Sequence, residues 1–190
     1  MVTATARVNQ IWIAAERISS PGPDLCALAG AATEQAVTVL NRGPVPRRQA
    51  FFPAHSLARI DACELLDAAA LAVVPGIDVT DPRPEFSNWG CRWRSIVADA
   101  GTDLDFSRDN DLGDDGRPTR LGGGKAYIEP EGEGDDTCVV HLEHRACTDA
   151  EGEATVEVVM LTAYGPQPPD DLCATAKSLA TAVARRLPKP

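Results

Sequence analysis

The sequence predicts an α+β fold: a largely antiparallel sheet with flanking helices on one face, stabilised by disulfides. Three observations predict it. Thr137–Ala146 and Thr155–Ala163 are consecutive Val- and Leu-rich stretches of strand length. Leu172, Ala176, Leu179, Val183 and Leu187 recur at helical spacing and make one apolar stripe. Six cysteines are dispersed along the chain without a CxxC pair, a pattern that suits structural disulfides in an oxidising compartment better than a zinc ribbon or a thioredoxin-like redox centre. A helix, then a run of strands, then a closing helix is the order of an α+β domain.

Taken in order, the first segments look like the end of a module. Ile11–Ala15 is strand-like, and Pro23-Asp24-Leu25-Cys26-Ala27 opens an Ala-rich helix that runs to Leu40. The same ending recurs 147 positions later, where a strand over 156–163 leads through a Pro-rich joint to Asp170-Asp171-Leu172-Cys173-Ala174. The simplest account is two tandem modules with only the tail of the first present, although short Ala-rich helices also match by chance. Residues 1–48 are then the C-terminal strand and helix of a truncated repeat plus a linker. Residues 49–190 are a complete module. Gly43, Pro44 and Pro46 stop the helix and stiffen the linker.

Within the complete module, Phe51–Leu57 reads as an extended lead-in. Asp61-Ala62-Cys63-Glu64 has capping-box spacing, with Asp61 as N-cap of a helix carrying Leu65, Leu66, Ala69, Ala70 and Val73 to a stop at Pro75-Gly76. Residues 78–88 are rich in turn formers. Cys91–Val97 alternates as a strand, with Cys91, Trp93, Ser95 and Val97 on one face and Arg92 and Arg94 on the other. Asp103–Arg108 alternates likewise, and Lys125–Glu129 is a short strand. Both helices of this module are expected on the same face of the sheet.

Charge limits the function classes. The net charge is −10, and the stretch 99–153 alone holds sixteen acidic and five basic residues, a balance of −11. That argues against nucleic acid and anionic membrane surfaces as partners, while leaving the acidic clusters readable as solvated loops. The longest run without a charged residue, Val158–Pro169, has 12 residues including three prolines, short of the roughly 20 needed to span a bilayer.

No motif spells out a reaction. Cys138, His141, His144 and Cys147 are four metal-capable residues at intervals of three. On a strand, however, Cys138 and His144 face one way and His141 and Cys147 the other, so they cannot converge on one tetrahedral ion. The better reading puts Cys138 in the core beside Val140 and Leu142, and leaves His141 solvated beside Glu143. Gly122-Gly123-Gly124-Lys125 lacks the spacing and the Ser or Thr of a phosphate loop, and reads as a connection between strands. Asp109-Asn110-Asp111-Leu112-Gly113-Asp114 places its glycine one position early for a calcium loop and has no Glu at position twelve. With no nucleophile–base pattern either, a non-catalytic protein without cofactor or metal is expected. Trp89 and Trp93 bracket Cys91, as core filling against a disulfide or as a ligand-stacking pair.

Asp61-Ala62-Cys63-Glu64-Leu65-Leu66-Asp67-Ala68-Ala69-Ala70-Leu71, Trp89-Gly90-Cys91-Arg92-Trp93, Cys138 and Leu172-Cys173-Ala174 together resemble a cysteine-containing extracytoplasmic module of high-GC Gram-positive bacteria, the lipoprotein family of unknown function 3558. Similar modules, often in tandem, follow the transmembrane helix of membrane-anchored Ser/Thr protein kinases. The resemblance covers residues 51–190. It implies export, a disulfide-stabilised α+β fold and no catalytic residues. Met1–Thr5 has neither the basic start nor the apolar stretch of a signal peptide, so the chain is expected to be a piece of a longer exported or membrane-anchored protein.

Alongside that resemblance, Cys63 at a helix start is expected to pair with Cys91 at a strand start. Cys138, inward on its strand, is expected to pair with Cys173, which opens the last helix over the same sheet. Cys26 and Cys147 are left over. Two functions follow: a sensor or ligand-binding module of an envelope receptor or kinase, or a secreted lipoprotein-like scaffold that holds other envelope proteins. Arg92 and Arg94 are the candidate contacts for an anionic envelope ligand, unless they pair with nearby acids on the sheet surface.

Overall fold

The computed structural model describes residues 2–6, 9–15, 24–43, 51–110, 112–113, 116–149 and 152–189. The chain divides into two compact units, 1–51 and 52–190. Most of the expected linker, from residue 44 on, lies outside the described residues, as do Asp111 and Asp114 of the calcium-like stretch.

In the first unit, β1 (Val2–Ala6) and β2 (Asn9–Ile13) form an antiparallel hairpin, with Val2 opposite Ile13. Helix α1 (Leu25–Asn41) follows. Asp24 caps it, its carboxylate accepting from the backbone N–H groups of Cys26 and Ala27. The helix buries Ala29 and Thr33, and the Thr33 hydroxyl donates to the Ala29 carbonyl at 2.7 Å.

The second unit is built on a seven-stranded antiparallel sheet. Its strands are β3 (Arg83–Pro84), β4 (Gly90–Arg94), β5 (Gly101–Asp109), β6 (Arg117–Leu121), β7 (Gly124–Pro130), β8 (Thr137–Thr148) and β9 (Ala154–Tyr164), in the spatial order β3-β4-β5-β9-β8-β7-β6. The two strands richest in Val and Leu are central, where both faces are packed. Gly122 and Gly123, both at positive φ, make the two-residue hairpin turn between β6 and β7. The glycine run is therefore a strand connection.

Register sorts the side chains into two faces. Cys91 and Trp93 of β4, Leu104 of β5, Val159, Leu161 and Ala163 of β9, Cys138, Val140 and Leu142 of β8 and Ala126 of β7 all enter one apolar cluster. Helix α3 (Pro169–Arg186) covers it with Leu172, Cys173, Ala176, Leu179, Ala180 and Val183. Pro169 opens this helix, Asp170 and Asp171 follow in its first turn and Arg185 and Arg186 close it, each suited to the helix dipole. Ala29 and Thr33 of α1 stand 147 positions before the buried Ala176 and Ala180 of α3. Both units thus end in an antiparallel hairpin followed by a helix that buries equivalent positions.

The region 57–74 completes the cover, but not as the single helix expected from Asp61. It forms a 3-10 turn over Ala62–Leu65 and, separately, a one-turn helix α2 (Ala68–Leu71). Leu66 is extended between them, and Asp67 starts the second turn by accepting from the Ala70 N–H at 2.8 Å. Two capping acids six residues apart divide the segment, so that Leu65, Leu66 and Leu71 all reach the core. The strand expected over Cys91–Val97 ends at Arg94: Ser95 bridges to Ile77, and Ile96 and Val97 are 76% and 72% exposed in the turn before β5.

Two disulfides staple the cover to the sheet. Cys63 bonds Cys91 and Cys138 bonds Cys173, each with Cα atoms 5.1 Å apart. They close loops of 28 and 35 residues, which corresponds to roughly 3–4 kcal/mol each if the unfolded chain is the state they restrict. Cys26 and Cys147 are free thiols.

Candidate functional site

The face of the sheet opposite the helices is polar towards β4 and β5 and apolar along β9 and β8, where Val158 and Val139 are buried. Alternation places Arg92 and Arg94 of β4, Asp103 and Asp105 of β5, Thr162 of β9 and Val139 and His141 of β8 on it. At the end of this face where β8 starts and β9 finishes lies a shallow cleft of about 370 Å³, lined by Arg94, Asp99, Asp103, Glu133, Thr137, Thr162 and Tyr164. Three different stretches of chain supply its acids.

Asp99 stands on the turn between β4 and β5, and Asp103 points up from β5. Glu133 arrives from the β7–β8 turn, which is fastened at several points. The Glu131 N–H donates to the Thr137 carbonyl at 2.9 Å, the Glu133 N–H to the Thr137 hydroxyl at 3.1 Å, and that hydroxyl to the Gly134 carbonyl at 2.8 Å. Glu131 holds a positive φ of 60° in this turn, a strained state for a residue with a Cβ. The result is Glu133 bent over the sheet, its carboxylate accepting from the Thr162 hydroxyl at 3.4 Å.

Arg92 and Arg94 both carry acidic partners. Arg92 pairs with Glu85 and reaches Asp103 at 3.7 Å. Arg94 donates to Asp103 at 2.9 Å and to the Tyr164 hydroxyl, with its guanidinium carbon 4.8 Å from the centre of the Tyr164 ring. Gly101 makes this possible, since a Cβ there would meet the Tyr164 hydroxyl and the Trp93 carbonyl. An anion entering the cleft would have to compete with Asp103 for Arg94.

The acids also act on their neighbour Asp105, whose carboxyl is pushed up to about 6 by burial first and by the charges of Glu85, Asp103 and Glu133, with Arg92 opposing. It packs directly over Gly90. Around the cleft itself, Asp99, Asp103 and Glu133 outnumber Arg94.

A second carboxylate, on the covered side, is structural. Glu157 is buried, with a side chain only 3% exposed. It accepts from the Ser56 hydroxyl at 2.6 Å, the Leu57 N–H at 3.0 Å and Arg145 at 2.7 Å. Burial raises its proton affinity, but the Arg145 and Ser56 bonds, the Leu57 N–H and the Arg145 charge outweigh that and hold it below the usual carboxylate range. This network pins the lead-in to β9.

Of the residues singled out by spacing, Cys138 is in its disulfide and buried beside Val140 and Leu142 as expected. His141 is not solvated beside Glu143. It is buried on the opposite face, 3.2 Å from Glu129, because Glu129 and His141 lie close on the adjacent strands β7 and β8. His144 meets the His55 carbonyl at 2.7 Å. Among the described residues no three His, Cys, Asp or Glu side chains converge as a metal site would require. Trp93 is 1% exposed in the core. Trp89 is half-buried between the edges of Phe52 and Phe86, with its indole N–H donating to the Ala58 carbonyl. The pairings of Cys63 with Cys91 and of Cys138 with Cys173 stand in the structure as expected.

Spacing did not find the cleft. Asp99, Asp103 and Glu133 all fall in the acidic middle of the sequence, but only the sheet register and one tight turn bring them together. Comparison with protein-family models, curated proteins and solved structures finds no match to the chain.

Proposed function

We propose that residues 52–190 are a non-catalytic, extracytoplasmic ligand-binding module, the sensor part of an envelope receptor such as a membrane-anchored kinase. The observation that carries this reading is the division of labour between the two faces of the sheet. One face holds the core and both disulfides, and the other presents a polar cleft bordered by Arg94 that the core does not require. Two disulfides are what an oxidising compartment sustains, and no described helix is long and apolar enough to cross a membrane. The resemblance of the cysteine-bearing segments to envelope modules supports the same setting.

One feature favours the scaffold reading: Phe86, Ile96 and Val97 are each more than 70% exposed, and such side chains suit a protein contact. The two readings separate experimentally. Immobilised oxidised protein is incubated with a small-molecule extract of cell envelope, and the retained compounds are identified by mass spectrometry. Ligand binding at the cleft predicts a compound lost in Asp99→Trp, which fills the mouth from an exposed turn, and kept in Ile96→Ser/Val97→Ser. A retained compound indifferent to Asp99→Trp, or none retained, contradicts the proposal.

A further inference from the structure

Two valines on the helix-free face are drier than an uncovered sheet allows. Val139 and Val158 point to that face by alternation, yet they are only 1% and 0% exposed. Neither belongs to the apolar cluster under α3. Ser107 and Glu143 flank Val158 on the adjacent strands, and lateral neighbours of that kind do not shut water out from above. Leu112, from the connection between β5 and β6, is also buried, at 3% exposed, and it too stands outside the helix-side cluster. It is the one apolar side chain between Asp109 and Arg117.

Topology brings this leucine to the valines. Strands β5 and β6 run in the same direction with β9, β8 and β7 between them. Register sets Arg117 level with Leu104, so Asp109 lies five residues further along the sheet. The connection therefore has to climb about 17 Å along the strands and cross about 19 Å of sheet, a diagonal of about 25 Å. Its eight Cα–Cα steps from Asp109 to Arg117 reach about 26–29 Å when fully extended. That leaves no slack for a detour around α3, a layer about 10 Å thick, so the chain crosses the helix-free face. Three of the eight steps place Leu112 between β9 and β8, at the level of Val158. Gly116 ends the crossing against β7 with a φ of 121°, where a Cβ would meet the Ile128 carbonyl. We infer that Leu112 is a plug, held by a connection without slack over a strip of Val139, Val158 and Met160. The strip is a closed extension of the cleft, since Val139 pairs with Thr162 of the cleft floor. One side chain, on a connection otherwise made of polar residues and glycine, keeps it dry while the helix-side core holds the fold.

Met160 reports on the plug, because thioether oxidation follows exposure and alternation puts Met160 on the same face as Val158. The full disulfide-bonded chain is treated with hydrogen peroxide, and Met160 sulfoxide is followed by peptide mass spectrometry. Leu112→Ser, and separately two glycines inserted after Gly113, should each raise the rate about fivefold. Leu179→Ala, in the helix-side core, should lower the melting temperature yet leave Met160 oxidation within about twofold of the parent. An unchanged rate in Leu112→Ser shows that something else covers the strip and overturns the plug. An unchanged rate after the glycine insertion overturns the part given to the short connection. A rise in Leu179→Ala equal to that in Leu112→Ser means that the strip opens only with the whole module, which overturns the proposal as well. No ligand enters this test, so its failure leaves the ligand-binding reading to the extract experiment.

Discussion

Two carboxylates in this fold were driven in opposite directions by their surroundings, and they set opposite slopes of stability against pH. Asp105 titrates at about 6, raised above the ordinary carboxylate value, so its neutral form is the one the folded state prefers. Its contribution is fully present at acid pH and is lost as pH rises through about 6. The raw shift is worth about 3 kcal/mol, but solvent screening at this half-exposed site reduces it to roughly 1 kcal/mol. Glu157 is lowered, so its contribution is present above the ordinary carboxylate range and lost as pH falls through it. Chemical denaturation from about pH 3 to 8 checks both. Asp105→Asn should stabilise near pH 7 and remove the decline between about pH 4 and 6. Glu157→Gln should destabilise near pH 7 by about 2–4 kcal/mol, leaving Arg145 without its carboxylate. An unchanged profile in Asp105→Asn contradicts the account of the polar face. Part of this was visible in the sequence. Glu157 is the one acid in the apolar run Val156–Ala163, which marks it as needing a partner. Its partner Ser56 is about a hundred positions away, and no local pattern points there.

Among the elements, long periodic or alternating ones were legible and divided or edge ones were not. The stripe of α3 and the alternation of β8 and β9 follow directly from apolar spacing. The segment after Asp61 has helical spacing too, but Asp67 offers a second cap and the Leu66–Asp67 backbone turns out of the helix, a competition that spacing cannot rank. Strand β6, with its sequence Arg-Pro-Thr-Arg-Leu, is an edge strand protected by charge and proline, and those same residues hide it from a search for apolar alternation. The disulfides test how the elements are joined. Cys138→Ser/Cys173→Ser frees α3 from β8, and the loss of a 35-residue loop constraint should lower the melting temperature by roughly 10 °C in a unit of this size. The corresponding Cys26→Ser and Cys147→Ser changes, made at free thiols, should each shift it by less than ~2 °C. Equal effects from the free and the bonded cysteines would contradict the pairing.

For the molecule as a whole, the acidic excess has a location that its sequence position does not convey. The acidic clusters of the stretch 99–153 read as solvated loops between strands, and four strands, β5 to β8, run through it. Yet Asp99, Asp103 and Glu133, from a turn, a strand and a hairpin, meet at one end of the helix-free face, because the order β4-β5-β9-β8-β7 lays those segments side by side. Arg92 and Arg94 were readable as outward residues from alternation alone, while their acidic partners on β5 and beside β3 needed the register. The account's central claim is that this face, and neither the helical face nor the exposed Phe86, Ile96 and Val97, is where the protein meets its ligand. Amide chemical-shift mapping of the oxidised chain during titration with the small-molecule extract of cell envelope tests it most directly. The account predicts saturable shifts confined to the backbone around Arg94, Asp99, Asp103, Glu133, Thr137, Thr162 and Tyr164. Shifts centred on α3 or on Phe86, Ile96 and Val97, or no shifts at all, would contradict it.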